Sequence, residues 1–327
     1  MGIVNESKAD PHSPRLSQIL FEKRPASFSS FATFGGNVEA VEATLLFATG
    51  FAKYVALHGT SGWGKTHLLC AVENRIKLDG GRCPSPISAE RFLAEPAGYN
   101  DPSPLLLDEC QQVLGKTKPR AMFRIALESR MRGGHPTILA FSGPKVARTV
   151  RTVLPREREW SLCSVGAPEP AERVHLINQM AEEDGLSLAP PLVRVIAKEI
   201  HGNGRTLAGV LKRLRLSSAI WNDSDAVLRA CGLLDPFFAD NSSWDLKHCI
   251  QRAAENLTGV DSNDLSVYVM LRVAQLSEED VARMLDMEPA AAYLAACRFE
   301  REVRQQPRTA ALVRQFIETV VGQFAAE

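Results

Sequence analysis

Residues 59–66 read Gly-Thr-Ser-Gly-Trp-Gly-Lys-Thr, a complete match to the pattern G-x-x-x-x-G-K-[ST]. The glycines allow a bend in which the backbone N–H groups of Gly59, Thr60, Ser61, Gly62, Trp63 and Gly64 turn inward at the start of a helix and cradle phosphate oxygens. Lys65 then carries its ammonium to the terminal phosphates, and the Thr66 hydroxyl holds Mg²⁺. This chemistry needs a strand before the loop and a helix after it. Both are legible: residues 53–58 are rich in β-branched and aromatic side chains, and residues 65–77 form a helical segment. ATP or ADP with Mg²⁺ is the expected cofactor.

Two more apolar runs bounded by turn residues, 104–107 and 136–141, predict strands, and residues 120–132 between them predict a helix ended by Gly133-Gly134. Strands alternating with helices predict an α/β fold, a parallel sheet sandwiched by helices. The run Leu105-Leu106-Leu107-Asp108-Glu109 ends one strand in two acids. On a sheet that carries the loop, Asp108 falls beside the metal, and Glu109 can orient and polarise an attacking water. Alone, such a pair is a common surface feature; the loop upstream gives it meaning. Ser142, ending a further strand, lies between these elements and within reach of a γ-phosphate, although a serine there also serves as an ordinary turn residue.

From residue 168 to 221 the chain reads as helices only, 223–243 as a less regular connector with an Asp235-Pro236 turn, and 244 onward as a third, helical segment. The expected division is a flexible leader (1–26), a nucleotide-binding α/β domain (27–165), a small all-helical lid (166–225), a connector (226–243) and an all-helical helix-turn-helix domain (244–327). A length of 327 residues with 45% hydrophobic content suffices for two or three cores. Lys plus Arg and Asp plus Glu are equal at 38, so any DNA contact must come from a local patch. The seven cysteines are odd in number and never in a C-x-x-C pair, which predicts reduced thiols in a cytoplasmic protein without a zinc site. No apolar run is long enough to span a membrane, and no signal-peptide core is present.

Taken together, these motifs resemble the DnaA family of bacterial replication initiators, AAA+ P-loop ATPases. Gly64-Lys65-Thr66-His67-Leu68-Leu69 is similar to that family's loop, bringing His67 into the site. Phe28-Ser29-Ser30-Phe31, with Asn37 and Ala40, resembles the segment that forms its adenine pocket. Gly202-Asn203-Gly204-Arg205-Thr206-Leu207, continuing through Gly209, Leu211, Arg213 and Leu214, resembles its sensor II helix. By this resemblance Arg205 projects from the lid onto the phosphates and couples lid angle to nucleotide state; a solvated helix-face arginine is the plain alternative. Glu159-Trp160-Ser161-Leu162 resembles the segment after the family's trans-acting arginine finger. In that alignment the finger position falls on Glu157, between Arg156 and Arg158. Either Arg158, the favoured candidate, or Arg156 serves after a small shift, or the finger is missing. The likeness covers residues 28–327, strongly to 221 and faintly beyond. It implies slow Mg-dependent ATP hydrolysis and assembly, with further copies or with a full-length initiator.

The departures matter as much. Between residues 88–92 and Asp108 the chain is too short for the extra helix the initiators use on single-stranded DNA, a deletion resembling DnaA-homologous regulators of the Hda type. In the C-terminal segment residues 276–282 open a helix-turn-helix with 288–301 in the recognition position. The family's Arg-Asp-His-Thr-Thr reading stretch is here Asp286-Met287-Glu288-Pro289-Ala290-Ala291. Residues 244–327 hold nine Lys and Arg against thirteen Asp and Glu, a net charge of −4, while residues 1–243 carry +4. Phosphate contacts need positive charge and base readout needs Arg, Asn or Gln; Glu288 and the alanines supply neither. Arg298, Arg301, Arg304 and Arg308 lie later, as backbone contacts or a solvated face. DNA binding is therefore expected to be weak. Three readings remain: an ATP-dependent switch in replication initiation or its control, a nucleotide-dependent adaptor with little turnover, and an origin-binding initiator with altered specificity.

Overall fold

The computed structural model describes residues 25–144, 146–238, 245–255 and 260–326; the expected leader up to residue 24, the end of the connector and Trp244 lie outside them. Five parallel strands form the central sheet. β1 (Tyr54–Gly59) lies between β4 (Thr137–Ser142) and β5 (Ser161–Ser164), with β3 (Leu105–Asp108) beyond β4 and β2 (Ile87–Ser88) at the far edge. Side chains alternate across a strand, so each strand feeds two cores. Val55, Leu57, Leu106 and Ile138 pack with α1 (Val38–Ala48) and α2 (Lys65–Leu78). Tyr54, Ala56, Leu107 and Leu139 pack on the other face with Phe92 of α3 (Ala89–Ala94), Phe123 of α4 (Thr117–Arg132) and Val150 of α5 (Ala147–Val153). Both faces are covered, which is why the strands read as unbroken apolar runs. The register sets Gly59 opposite Ser142, and Asp108 ends the strand next to β4, so the three lie along the carboxyl edge of one sheet.

One buried charge braces the opposite edge. Arg130, 2% exposed, donates to the carbonyls of Tyr99, Ser103 and Pro136 and to the Thr137 hydroxyl. Burial pushes its guanidinium down to about 10.

The lid comprises α6 (Pro170–Glu183), α7 (Pro190–Glu199) and α8 (Gly204–Ser217). Two expectations need correction here. The lid is not helices only: β6 (Ser187–Leu188) and β7 (Ile220–Trp221) pair in parallel and tie its loops together. Residues 224–234, expected as irregular connector, form a helix, α9 (Ser224–Leu234). The Asp223 carboxylate caps it, accepting the Ala226 N–H at 2.7 Å, and Ala226, Val227, Ala230, Cys231 and Leu234 are buried. The Asp-Pro turn ends this helix.

The remaining helices are α10 (Leu246–Glu255), α11 (Ser262–Tyr268) running into a π turn at Val269–Val273, α12 (Glu278–Leu285), α13 (Pro289–Gln305) and α14 (Pro307–Ala326). α12 and α13 cover the residues where a helix-turn-helix is expected. Lid and C-terminal helices bury a common core, in which Val195, Leu214 and Leu228 join Ile250, Phe299, Phe316 and Val320. Each such side chain contributes about 1.5–3 kcal/mol on burial, so cutting the chain at residue 244 would expose a shared apolar face. No helix among the described residues is long and apolar enough to cross a membrane.

A candidate phosphate-binding cleft

β1 delivers the chain to the glycine loop, and two of its glycines are fixed by geometry. Gly62 (φ 88°) and Gly64 (φ 95°) adopt left-handed conformations that side chains disfavour. A Cβ on Gly62 would lie 2.3 Å from Asn203 Cγ, and one on Gly64 would lie 2.5 Å from the Phe31 ring. The loop is thus packed between the N-terminal segment and the lid.

Lys65 opens α2 and is 4% exposed. Its Nζ donates to the carbonyls of Gly59 at 3.0 Å and Thr60 at 2.7 Å. Burial lowers its pKa to about 8, against the pull of Asp108 and with the repulsion of Arg205. Next to it the Thr66 hydroxyl donates to Asp108 Oδ2 at 2.6 Å, and Asp108 Oδ1 accepts the Glu109 N–H at 2.8 Å. A hydroxyl and a carboxylate side by side are the hard oxygen donors that suit Mg²⁺, whose other positions go to phosphate and water.

Glu109 adopts a left-handed conformation (φ 52°), and its Oε2 accepts from Gln112 Nε2 at 2.8 Å. Ser142 lines the cleft, and its N–H donates to Gln111 Oε1 at 2.9 Å. Gln111 thereby braces the strand carrying the acids against the strand carrying Ser142. Sequence reading missed it, because a glutamine two residues past an acidic pair carries no signal of its own.

The cleft encloses about 360 Å³ between the loop, the N-terminal segment and the lid. Asn37 lines it but is 1% exposed. Its Nδ2 donates to the Ala32 carbonyl and its Oδ1 accepts the Phe34 N–H, both at 2.9 Å, so it shapes the segment instead of presenting a free amide. His67 lies 3.2 Å from Ser30 Oγ and 3.1 Å from the Ser27 carbonyl, with its ring 5.4 Å from that of Phe31. It fastens the same segment onto α2.

From the lid side, the Asn203 side-chain Oδ1 caps α8 by accepting the N–H groups of Arg205 at 3.0 Å and Thr206 at 3.3 Å. Its Nδ2 reaches across to the Ser61 carbonyl at 3.2 Å. Arg205 lines the cleft and makes no ion pair among the described residues. A second tie comes from Glu172, which accepts the N–H groups of Gly35 at 2.9 Å and Glu169 at 2.8 Å. Those two bonds hold its carboxyl below the usual range.

The two finger candidates do not reach this chain's own cleft. They lie around the turn Glu157–Glu159 that precedes β5. Arg156 (φ 47°) is paired with Glu128 at 3.3 Å and Glu159 at 3.8 Å, and Glu157 is held by Arg151 at 2.7 Å. Arg158 is exposed and makes no ion pair among the described residues.

Comparison with known proteins agrees with this plan. No family model matches the sequence. The chromosomal replication initiator protein DnaA of Laribacter hongkongensis is 29% identical over 208 residues, 58% of this chain and 43% of that protein. The DnaA of Lachnoclostridium phytofermentans is 23% identical across 93% of this chain and 77% of that protein. The chain spans less than half the length of the Laribacter relative and of a second one from Chromobacterium violaceum. Among solved structures, domain III of Thermotoga maritima DnaA superposes with a TM-score of 0.54 at 19% identity, covering 66% of this chain and 98% of that one. AMPPCP-bound DnaA from Aquifex aeolicus does so with a TM-score of 0.54 at 17% identity, over 93% and 99%. By sequence this chain is similar to DnaA proteins, and its fold is that of the solved DnaA structures.

Proposed function

We propose that this DnaA-like AAA+ chain is an ATP-dependent switch acting in bacterial replication initiation or its control. The observation that carries the reading is the convergence of Lys65, the Thr66–Asp108 pair, Ser142 and the lid's Arg205 on one cleft. ATP phosphates would replace the Gly59 and Thr60 carbonyls as partners of Lys65, with Mg²⁺ on Thr66 and Asp108 and a water oriented by Glu109. Arg205 would then draw the lid onto the γ-phosphate, so that lid angle reports ATP against ADP.

Hydrolysis should be slow in a lone chain, because the finger must come from a neighbour. Arg158, exposed and without an ion pair among the described residues, suits that role better than Arg156, which is tied to Glu128 and Glu159. The neighbour would be a second copy or a full-length initiator, in the cytoplasm. One observation favours the adaptor with little turnover: Glu109 is already engaged by Gln112, and release costs an interaction.

DNA is the weaker partner. One solved DnaA neighbour is bound to AMPPCP and single-stranded DNA, with a TM-score of 0.53 at 18% identity. In this chain the recognition position of α13 presents Pro289, Ala290 and Ala291 with Tyr293 (43% exposed) and Leu294 (61%), flanked by exposed Asp286 and Glu288. Backbone contacts are better sought on α4 and α5 and the turn before α4, where Lys116, Lys118, Arg124 and Arg148 are exposed. These features favour the regulatory switch, of the Hda-like kind, over an origin reader of altered specificity. The deciding experiment measures ATP binding and turnover of the full chain and of Glu109→Gln. The variant should keep binding and lose turnover; loss of both, or of neither, contradicts the assignment.

A further inference from the structure

A second cavity, of about 500 Å³, opens where the lid meets the C-terminal helices. Val174 from α6, Val195 from α7 and Phe324 from α14 give it apolar walls. Its charge is mostly of one sign. Among the described residues Arg173, Arg194 and Lys198 line it against a single acid, Glu199, which is paired with Lys198 at 3.8 Å. Arg194 is exposed and makes no ion pair among the described residues.

Arg173 connects this cavity to the cleft. Its terminal nitrogens donate to the carbonyls of Ile200 and, at 3.3 Å, of Gly202, the residue before Asn203. Its Nε–H is buried without any acceptor. Buried donors are nearly always satisfied, so this cavity-lining residue carries an uncommon unmet donor. The volume fits the range of small-molecule sites, which combine apolar walls with a few polar anchors. A single carboxylate can pair with the exposed Arg194 guanidinium while an apolar body lies against Val174, Val195 and Phe324, whereas a multiply charged anion would leave charge against valine and phenylalanine. Walls made by helices on several sides admit a soluble molecule and exclude a membrane surface.

We propose that this cavity binds a small soluble monocarboxylate with an apolar body, and that its occupancy is transmitted through Arg173 to the loop bearing Asn203 and Arg205. The second half rests on the nucleotide reading above; the first does not. The test titrates phenylbutyrate into the full chain without nucleotide, by calorimetry, beside phenylbutanol (body without charge) and acetate (charge without body). Phenylbutyrate should bind with a Kd tighter than about 1 mM, and both controls at least about tenfold more weakly. Arg194→Glu, at an exposed position, should weaken binding at least about tenfold, and Arg194→Lys should restore most of it. No binding, equal binding of phenylbutanol, or indifference to Arg194→Glu overturns the site. In a second arm, saturating phenylbutyrate should change the affinity for a fluorescent ADP at least about threefold, and the reverse by the same factor. An unchanged ADP affinity overturns the coupling. Failure of ADP to bind at all would strike the nucleotide reading and leave the anion titration standing.

Discussion

The Asn203 side chain donates to the Ser61 carbonyl at 3.2 Å while capping the helix that carries Arg205. One amide thus joins the phosphate loop to the lid, and Gly204 follows so closely that a Cβ there would sit 2.8 Å from the Gly62 carbonyl. Lid position and loop position are therefore mechanically linked before any ligand arrives.

That link separates into two parts by substitution. Asn203→Ala should cost about 1 kcal/mol of stability through loss of the cap and should also speed nucleotide release. Asn203→Ser keeps a capping oxygen but is too short to reach Ser61, so stability should recover while release stays fast. Urea unfolding and stopped-flow release of a fluorescent ADP read the two effects. Release at the wild-type rate from Asn203→Ser would show that the Ser61 bond does not hold the lid.

Lys65 gives a pH signature. Its folded pKa is about 8, below the roughly 10.4 of an unfolded lysine. Below pH 8 both states are charged and burial of the ammonium opposes folding in full. Between pH 8 and about 10.4 the unfolded chain binds the extra proton, so this group makes stability rise with pH. Nucleotide affinity moves the other way, since phosphates need the ammonium, and should fall by up to about tenfold per pH unit above 8. Lys65→Arg, charged throughout, should flatten that fall. An ADP affinity equally flat in wild type to pH 9.5 would contradict the burial argument.

Turnover should depend on assembly. Specific activity should rise with protein concentration, and Arg158→Ala should remove most of that rise, since a trans arginine contributes roughly 10³–10⁵-fold in related phosphoryl transfers. Arg156→Ala should act less on turnover and more on stability, through the lost Glu128 contact. Fast hydrolysis by a dilute chain carrying both substitutions would refute a neighbour's finger.

For DNA the informative reagent is the whole protein, because the C-terminal helices share their core with the lid. Without ATP it should bind duplexes poorly and without sequence preference. With ATP, Lys118→Ala and Arg148→Ala should weaken binding more than Arg298→Ala and Arg301→Ala, as assembly multiplies weak backbone contacts. Nanomolar binding to one sequence that survives high salt would restore the origin-binding reading.

Much of this arrangement is legible in the sequence, for identifiable reasons. The glycine loop, the Asp108 strand and the helix Gly204–Ser217 are local patterns whose spacing is set by one strand, one turn or one helix. Gln111, Glu172 and the second role of Asn203 are contacts between elements distant in sequence, and nothing local distinguishes them from surface polar residues. β5 was hidden because Ser161 and Ser164 dilute its apolar character, and α9 because Gly232 and Asp235-Pro236 mask its periodicity. Arg130 reads as one more basic residue near a helix end; only the folded chain shows it buried among carbonyls.

The central claim is that the cleft around Lys65 binds ATP and ADP, and equilibrium binding of fluorescent nucleotide to wild type and Lys65→Ala tests it most directly. Wild type should bind at micromolar concentration or tighter. Removing the ammonium takes away a charge-assisted contact in a largely buried site and should weaken binding at least about a hundredfold. Lys65→Ala binding nucleotide as well as wild type would place the site elsewhere and contradict the account.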